Sequence, residues 1–216
     1  MKKSLNYLML AAITAPLIYL AFVWNQLPDV VPTHFGPSGK PDAFGPKWTL
    51  SILTVVSIGL YFLMSNVPHL DPRLNQASVS EHYPKLILLV LTFLGAVHIL
   101  IIRSALEQMT GKVFINLVFV GVFLLFAGIG NYLNTLKSNY FVGIRTPWTL
   151  ESETVWRKTH QMGAKLFFAM GIVGALVVVW LPEMWKIVWT LSLIFATVIW
   201  VFVYSYRAHK QEQANR

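Results

Sequence analysis

No cysteine occurs anywhere in the 216 residues. Disulfides, thiolate metal sites and thiol nucleophiles are therefore excluded. Charge is also scarce: 12% of residues are Asp, Glu, Lys or Arg, against about 25% in an ordinary soluble domain. Acids are the rarer sign, nine against seventeen bases, and none falls inside a long apolar run. A proton-coupled transporter would need acidic groups at depth, so this absence argues against one. There is no Ser-His-Asp order, HExxH helix, P-loop or GxGxxG either. The residues point away from an enzyme, and no cofactor is called for.

What the chain has instead is apolar length. It is 56% hydrophobic with a mean hydropathy of +0.58. A hydrocarbon core needs about 20 mostly apolar residues per helix, and six stretches qualify, roughly 5–24, 48–67, 86–102, 113–133, 166–181 and 187–206. Backbone amides in lipid must be paired within the segment, so these runs are helices. The expected fold is an all-α polytopic membrane bundle of about six helices. It reads as one integral domain in three parts: a two-span module over 1–67, a loop and two spans over 68–133, and a loop and two spans over 134–216. The first run resembles a signal peptide, but it is too long, and Pro16 follows its only small-residue site. It reads as an uncleaved span.

The formal charge of +8 raises the question of nucleic acid. The bases lie between apolar runs rather than in one stripe, which is a topology signal and excludes direct nucleic-acid binding. With the N-terminus inside, Lys2, Lys3, Arg73, Lys85, Lys137, Arg145, Arg157, Lys158, Lys165, Arg207, Lys210 and Arg216 face the cytoplasm. Lys40, Lys47, Arg103, Lys112 and Lys186 face outward, giving twelve against five. Positive-inside topology then puts both termini in the cytoplasm.

The outer loop near 25–47 holds Pro28, Pro32, Pro37, Pro41 and Pro46 with Gly36, Gly39 and Gly45. Such spacing predicts a compact, turn-rich lid, with Val30–Val31 and Thr33–Phe35 as an extended arm and PSGK as its turn. His34 and Asp42 are its one chemical pair. Two ligands make a poor metal site, so Asp42 is read as a turn cap and His34 as bonded to loop backbone. No metal is expected. Recognition of an external partner by this exposed loop is the better idea. In the first inner loop, Asp71 before Pro72 reads as the N-cap of a short interfacial helix. His69 and His82 read as solvated or headgroup-facing.

The large inner loop carries NYFVGIRTPWTLESETVWRKTHQ, residues 139–161. Gly143 and Pro147 punctuate an irregular strap over 139–148. Thr149 reads as the N-cap of a helix with Glu151 and Glu153 in its first turn. Val155, Thr159, Met162 and Leu166 make a narrow apolar seam, while Arg157, Lys158, Gln161 and Lys165 point elsewhere. The pattern predicts an amphipathic helix at the inner leaflet running into the fifth span. Arg145 and Trp148 admit two readings, anchors to lipid phosphate and interface or a docking surface for a cytosolic protein. Inside the spans, His98 is the one ionisable group to stand out. Asn116 and Asn131 read as interhelical hydrogen-bonding residues. Gly171 and Ala175 read as a small packing face.

The segment GNYLNTLKSNYFVGIRTPWTLESETVWRKTHQMGAKLF closely resembles the C-terminal hallmark of the SdpI family, bacterial multi-span proteins named for immunity to a secreted toxic peptide. The pattern Gly-x-Arg-Thr-x-Trp-Thr, then Trp-x-x-Thr-His, falls on Gly143, Arg145, Thr146, Trp148, Thr149, Trp156, Thr159 and His160. The outer loop is similar to the family's N-terminal module at Leu27, Pro28, Pro32, His34, Gly39, Asp42 and Lys47, and Asp71–Arg73 is similar to its first inner loop. The resemblance implies a protein of the bacterial cytoplasmic membrane that protects against a membrane-active peptide and recruits a cytosolic repressor. Pro28, Pro32, His34, Phe35, Gly39 and Asp42 are then candidates for the toxin side. Gly143, Arg145, Thr146, Trp148, Trp156, Arg157 and His160 are candidates for the regulator side. Two alternatives stay open: a signalling receptor without immunity, and a transporter using His98 and the Asn residues.

Overall fold

A computed structural model describes residues 3–72, 82–107 and 109–215. Six helices in it are long and apolar enough to cross a membrane: α1 (Lys3–Val23), α2 (Ile52–Leu70), α3 (Tyr83–Ala105), α4 (Gly111–Leu133), α6 (Glu153–Val178) and α7 (Glu183–Ala214). A short helix, α5 (Pro147–Glu151), precedes α6. The all-α polytopic bundle is therefore as expected, and the chain is a multi-pass membrane protein. Large apolar side chains such as Phe22, Phe62, Leu176, Phe195 and Trp200 are exposed on its flanks, as lipid-facing surfaces require.

The one sheet among the described residues joins α1 to α2. Strands β1 (Val30–Phe35) and β2 (Pro41–Pro46) pair antiparallel, with a bulge between Pro32 and Phe35. The extended arm foreseen at 30–35 is thus half of a hairpin. Its turn is closed by Gly36 and Lys40 backbone bonds, and Gly39 takes φ +73°.

α1 and α2 each contain a proline, Pro16 and Pro68. Proline leaves the carbonyl four residues earlier without its helical donor, and α3 packs against both places. The Tyr83 hydroxyl donates to the Met64 carbonyl at 2.8 Å. Gly95 lies against the Ala12 carbonyl so closely that a Cβ there would stand 2.5 Å from the oxygen. A glycine is what lets α1 and α3 cross at this point.

α4 and α6 meet along a second seam of small residues. A Cβ on Gly171 would lie 2.5 Å from Ala127 N and Phe123 O, and one on Gly174 would enter the Phe123 ring. Gly171 packs closely, and Gly174 joins it on the same seam. Asn116 and Asn131 do not join helices: Asn116 Oδ1 is buried without a partner among the described residues, and Asn131 is exposed.

Chain direction sorts the connections. The hairpin and the start of α4 share one end of the bundle, where the Phe35 and Phe114 rings stack at 4.1 Å. Asp71 and the strap share the other, where the Tyr140 N–H donates to Asp71 Oδ2 at 2.6 Å.

Candidate functional site

At the strap end, residues 134–146 form no regular element, so their backbone polar groups need side-chain partners. Asn139 supplies four. Its Nδ2 donates to Lys137 O and Val142 O, both at 2.8 Å, and its Oδ1 accepts from Phe141 N and Val142 N at 2.9 and 2.7 Å. Asp71 holds the next amide from across the bundle. It also follows the C-terminal end of α2 as its cap residue and is buried at 3% exposure. The interfacial helix expected after it lies outside the described residues.

Gly143 adopts φ +118°, and a Cβ there would meet His160 Nε2 at 2.5 Å. His160 is buried. Its Nε2 accepts from the Ile144 N–H at 3.1 Å, so the ring proton belongs on Nδ1, which donates to Trp156 O at 2.9 Å. The two rings stack at 4.0 Å, and Trp156 Nε1 donates to Leu136 O at 2.8 Å. Gly143, Trp156 and His160 thus form an internal clamp on the strap.

The helix start also differs from the expected one. Thr146 caps α5, in a reciprocal pair with Thr149, and the buried Thr149 hydroxyl donates to Ile144 O at 2.9 Å. Extended Ser152 then breaks the chain and caps α6, whose first residue is Glu153. Two capping residues six apart produce two helices where one was expected. The amphipathic segment does run unbroken into the fifth span as α6. Its seam residues Val155 and Thr159 are buried against protein, however, so it is no separate helix on the leaflet.

Trp148 is half-buried. It packs edge-on to Phe202 at 5.2 Å and against Tyr206 at 5.1 Å, pinning the strap to α7. Arg145 turns back so that Nη1 donates to Tyr140 O at 2.6 Å, with its side chain exposed. Beside this knot opens a polar cleft of about 600 Å³, lined by Asn134, Lys137, Ser138, Glu153, Arg157 and His160 among others. Arg157 and Lys137 are exposed there, and they are the cations free to meet a ligand.

At the hairpin end, Lys47 closes the base of the lid. Its ammonium lies 3.0 Å from Asp29 Oδ1 and 5.3 Å from the Trp24 ring centroid, and its N–H donates to Asp29 O at 3.0 Å. Leu27 and Val31 are buried against Leu20, Val23, Leu50, Ile102 and Ala105. Phe35 and Gly39 are docking points of the lid itself; a Cβ on Gly39 would strike the Gly111 carbonyl. His34 and Asp42 bond each other across the strands at 2.5 Å, rather than loop backbone, and both are largely exposed. Among the described residues no group of three His, Asp or Glu stands close enough to hold a metal. Of the toxin-side candidates, Pro28, His34 and Asp42 are exposed, and Pro32 sits at the edge of a cavity shared with His98.

Lys186 was missed. It reads as an outward loop charge, yet its side chain is fully buried in the first turns of α7 and donates to the Leu181 carbonyl. A long stem that can fold back on the preceding turn gives no signal in residue type.

Six apolar helices closed by a hairpin at one end and a knotted strap at the other define a multi-pass helical membrane protein. Residues 135–205 match the model of the SdpI/YfhL protein family, and residues 11–58 match that of a domain of unknown function, DUF1648. The chain is 27% identical to the Immunity protein SdpI of Bacillus subtilis over 198 residues, 90% of each chain. It is 46% identical over 54 residues to an uncharacterized protein of Archaeoglobus fulgidus, a stretch covering 25% of this chain and 30% of that one. No solved structure matches. The likeness to the SdpI family covers the strap from residue 135 onward and most of the two long helices that follow it.

Proposed function

We propose that this protein is a non-enzymatic immunity factor of the bacterial cytoplasmic membrane, protecting its cell from a secreted membrane-active peptide. The observation that carries this reading is the likeness to the Immunity protein SdpI over nine-tenths of both chains. The architecture supports it. A hairpin lid with exposed Pro28, His34, Asp42 and Phe44 covers one end of the bundle, which the loop charges assign to the outer face. Both termini and the strap then lie in the cytoplasm. The test is expression in a sensitive host, following survival and membrane potential under peptide challenge. Protection is expected, and unchanged killing across candidate peptides would defeat the reading.

A second arm concerns the inner face. The strap cleft, with Arg157 and Lys137 exposed beside Glu153, suits an acidic segment of a cytosolic repressor. Signalling without immunity is the rival, and it predicts recruitment without protection. Pull-down of cytosolic partners by wild type and by Arg157→Ala separates the two arms. Transport finds less support, since the acids of the six long helices sit only at their ends among the described residues.

A further inference from the structure

The outward face of α6 changes character along its length. Glu153, Arg157, Gln161 and Lys165 recur every four residues and all are exposed; steps of three or four keep to one face of a helix. Phe168, Ile172 and Leu176 continue that face at 49%, 38% and 66% exposure. As part of a helix long and apolar enough to span, they meet acyl chains. Trp180, 86% exposed, marks the interface at the hairpin end, where Trp concentrates. A hydrocarbon core takes about 20 helical residues, which sets its other boundary at about residue 160. Arg157 then stands about one turn beyond the chains, at headgroup level. Lys165 starts inside the boundary, and its stem runs back toward the helix N-terminus to bring the ammonium out.

The polar cleft of the strap opens at that level. Lys137 and Arg157 line it, and Asn134 and Thr154 add an amide and a hydroxyl. Among the described residues the ion pairs are His34–Asp42 and Lys47–Asp29, both at the hairpin end. Lys137, Arg157 and Lys165 therefore have no carboxylate partner there. Even Glu153, at the ideal spacing of four from Arg157, does not pair with it. Three cations against the one acid of the cleft leave the site positive.

We propose that the cleft and the α6 face below it bind an anionic phospholipid of the adjacent leaflet. Its phosphate lies among Arg157, Lys165 and Lys137, and its chains run along Phe168, Ile172 and Leu176. Phosphate oxygens only accept, and charged donors make the strong bonds to them. An uncharged glycerol headgroup can also donate a hydroxyl to Glu153. A zwitterionic headgroup would instead bring a further cation to a site already positive. A soluble phosphate would leave the apolar strip unused. The acidic protein segment proposed for the same cleft would have to displace this headgroup, and the lipid site stands without it.

The test is native mass spectrometry of the full chain in detergent micelles doped with equal phosphatidylglycerol and phosphatidylcholine, with no cytosolic protein present. Wild type should retain phosphatidylglycerol over phosphatidylcholine by about fivefold or more, the worth of one Lys or Arg near an anionic surface. Arg157→Ala and Lys165→Ala should each weaken that retention about fivefold. Lys112→Ala, an exposed cation at the hairpin end, should leave it unchanged. Equal retention of both lipids by the wild type, or an equal loss in Lys112→Ala, overturns the site. Displacement of the bound lipid by equimolar glycerol phosphate overturns the lipid in favour of a soluble phosphate. Should an alanine variant fail to fold, the wild type decides alone. Its preference should then fall in about 1 M ammonium acetate, where the Debye length is about 3 Å, and an unchanged preference overturns the charged site. Failure of the pull-down with a cytosolic partner strikes the repressor reading alone.

Discussion

The two ends of this bundle are closed by different physics. The hairpin rests on apolar and ring contacts, Val31 in the core and Phe35 on Phe114, and it spans a cavity. The strap is tied down by directed hydrogen bonds from Asp71, Asn139, Thr149, Trp156 and His160 to its backbone. Nondirectional contacts tolerate small shifts, whereas a network of short bonds to irregular backbone admits one arrangement. A lid that can adjust over a ligand and a strap that presents a fixed surface are the natural outcome.

Breaking the strap should cost most. Gly143→Val places a branched side chain at φ +118° against His160 and should destabilise by about 3 kcal/mol or more. Thermal unfolding in detergent checks this, and a midpoint equal to wild type would refute the clamp. Asp71→Ala removes the acceptor of the Tyr140 N–H and should cost about 1–3 kcal/mol; it should also expose the strap to limited proteolysis while leaving the hairpin intact. Phe35→Ala should cost only about 1 kcal/mol, the worth of a half-buried ring pair. Its signature is weaker peptide protection at nearly normal melting temperature. Arg157→Ala should change stability by no more than about 0.5 kcal/mol, yet reduce capture of a cytosolic partner. His34→Ala should be smallest, since exposed ion pairs contribute about 0–1 kcal/mol; a large loss of melting temperature would mean the pair is structural.

Local patterns made some of this legible. Six helices followed from apolar length, and the hairpin arm followed from valines set between prolines and glycines. What stayed hidden depends on residues far apart in the chain. Asp-Pro announces a local helix start, but nothing around Asp71 announces that it holds the Tyr140 amide 69 positions away. Nothing near Trp148 in the chain announces its contacts with Phe202 and Tyr206, more than fifty residues on. Ser152 was read through because Thr149 offered an equally good cap. Residue type marked the strap as special, but could not say that most of its special residues face inward.

One consequence concerns α2. It starts at the base of the lid and finishes at Asp71, which grips the strap; its 19 residues make a rod of about 28 Å at about 1.5 Å each. A rod seated at both faces behaves as a strut. A load applied to the lid at one end of the bundle is carried along it to Asp71 and the Tyr140 amide at the other.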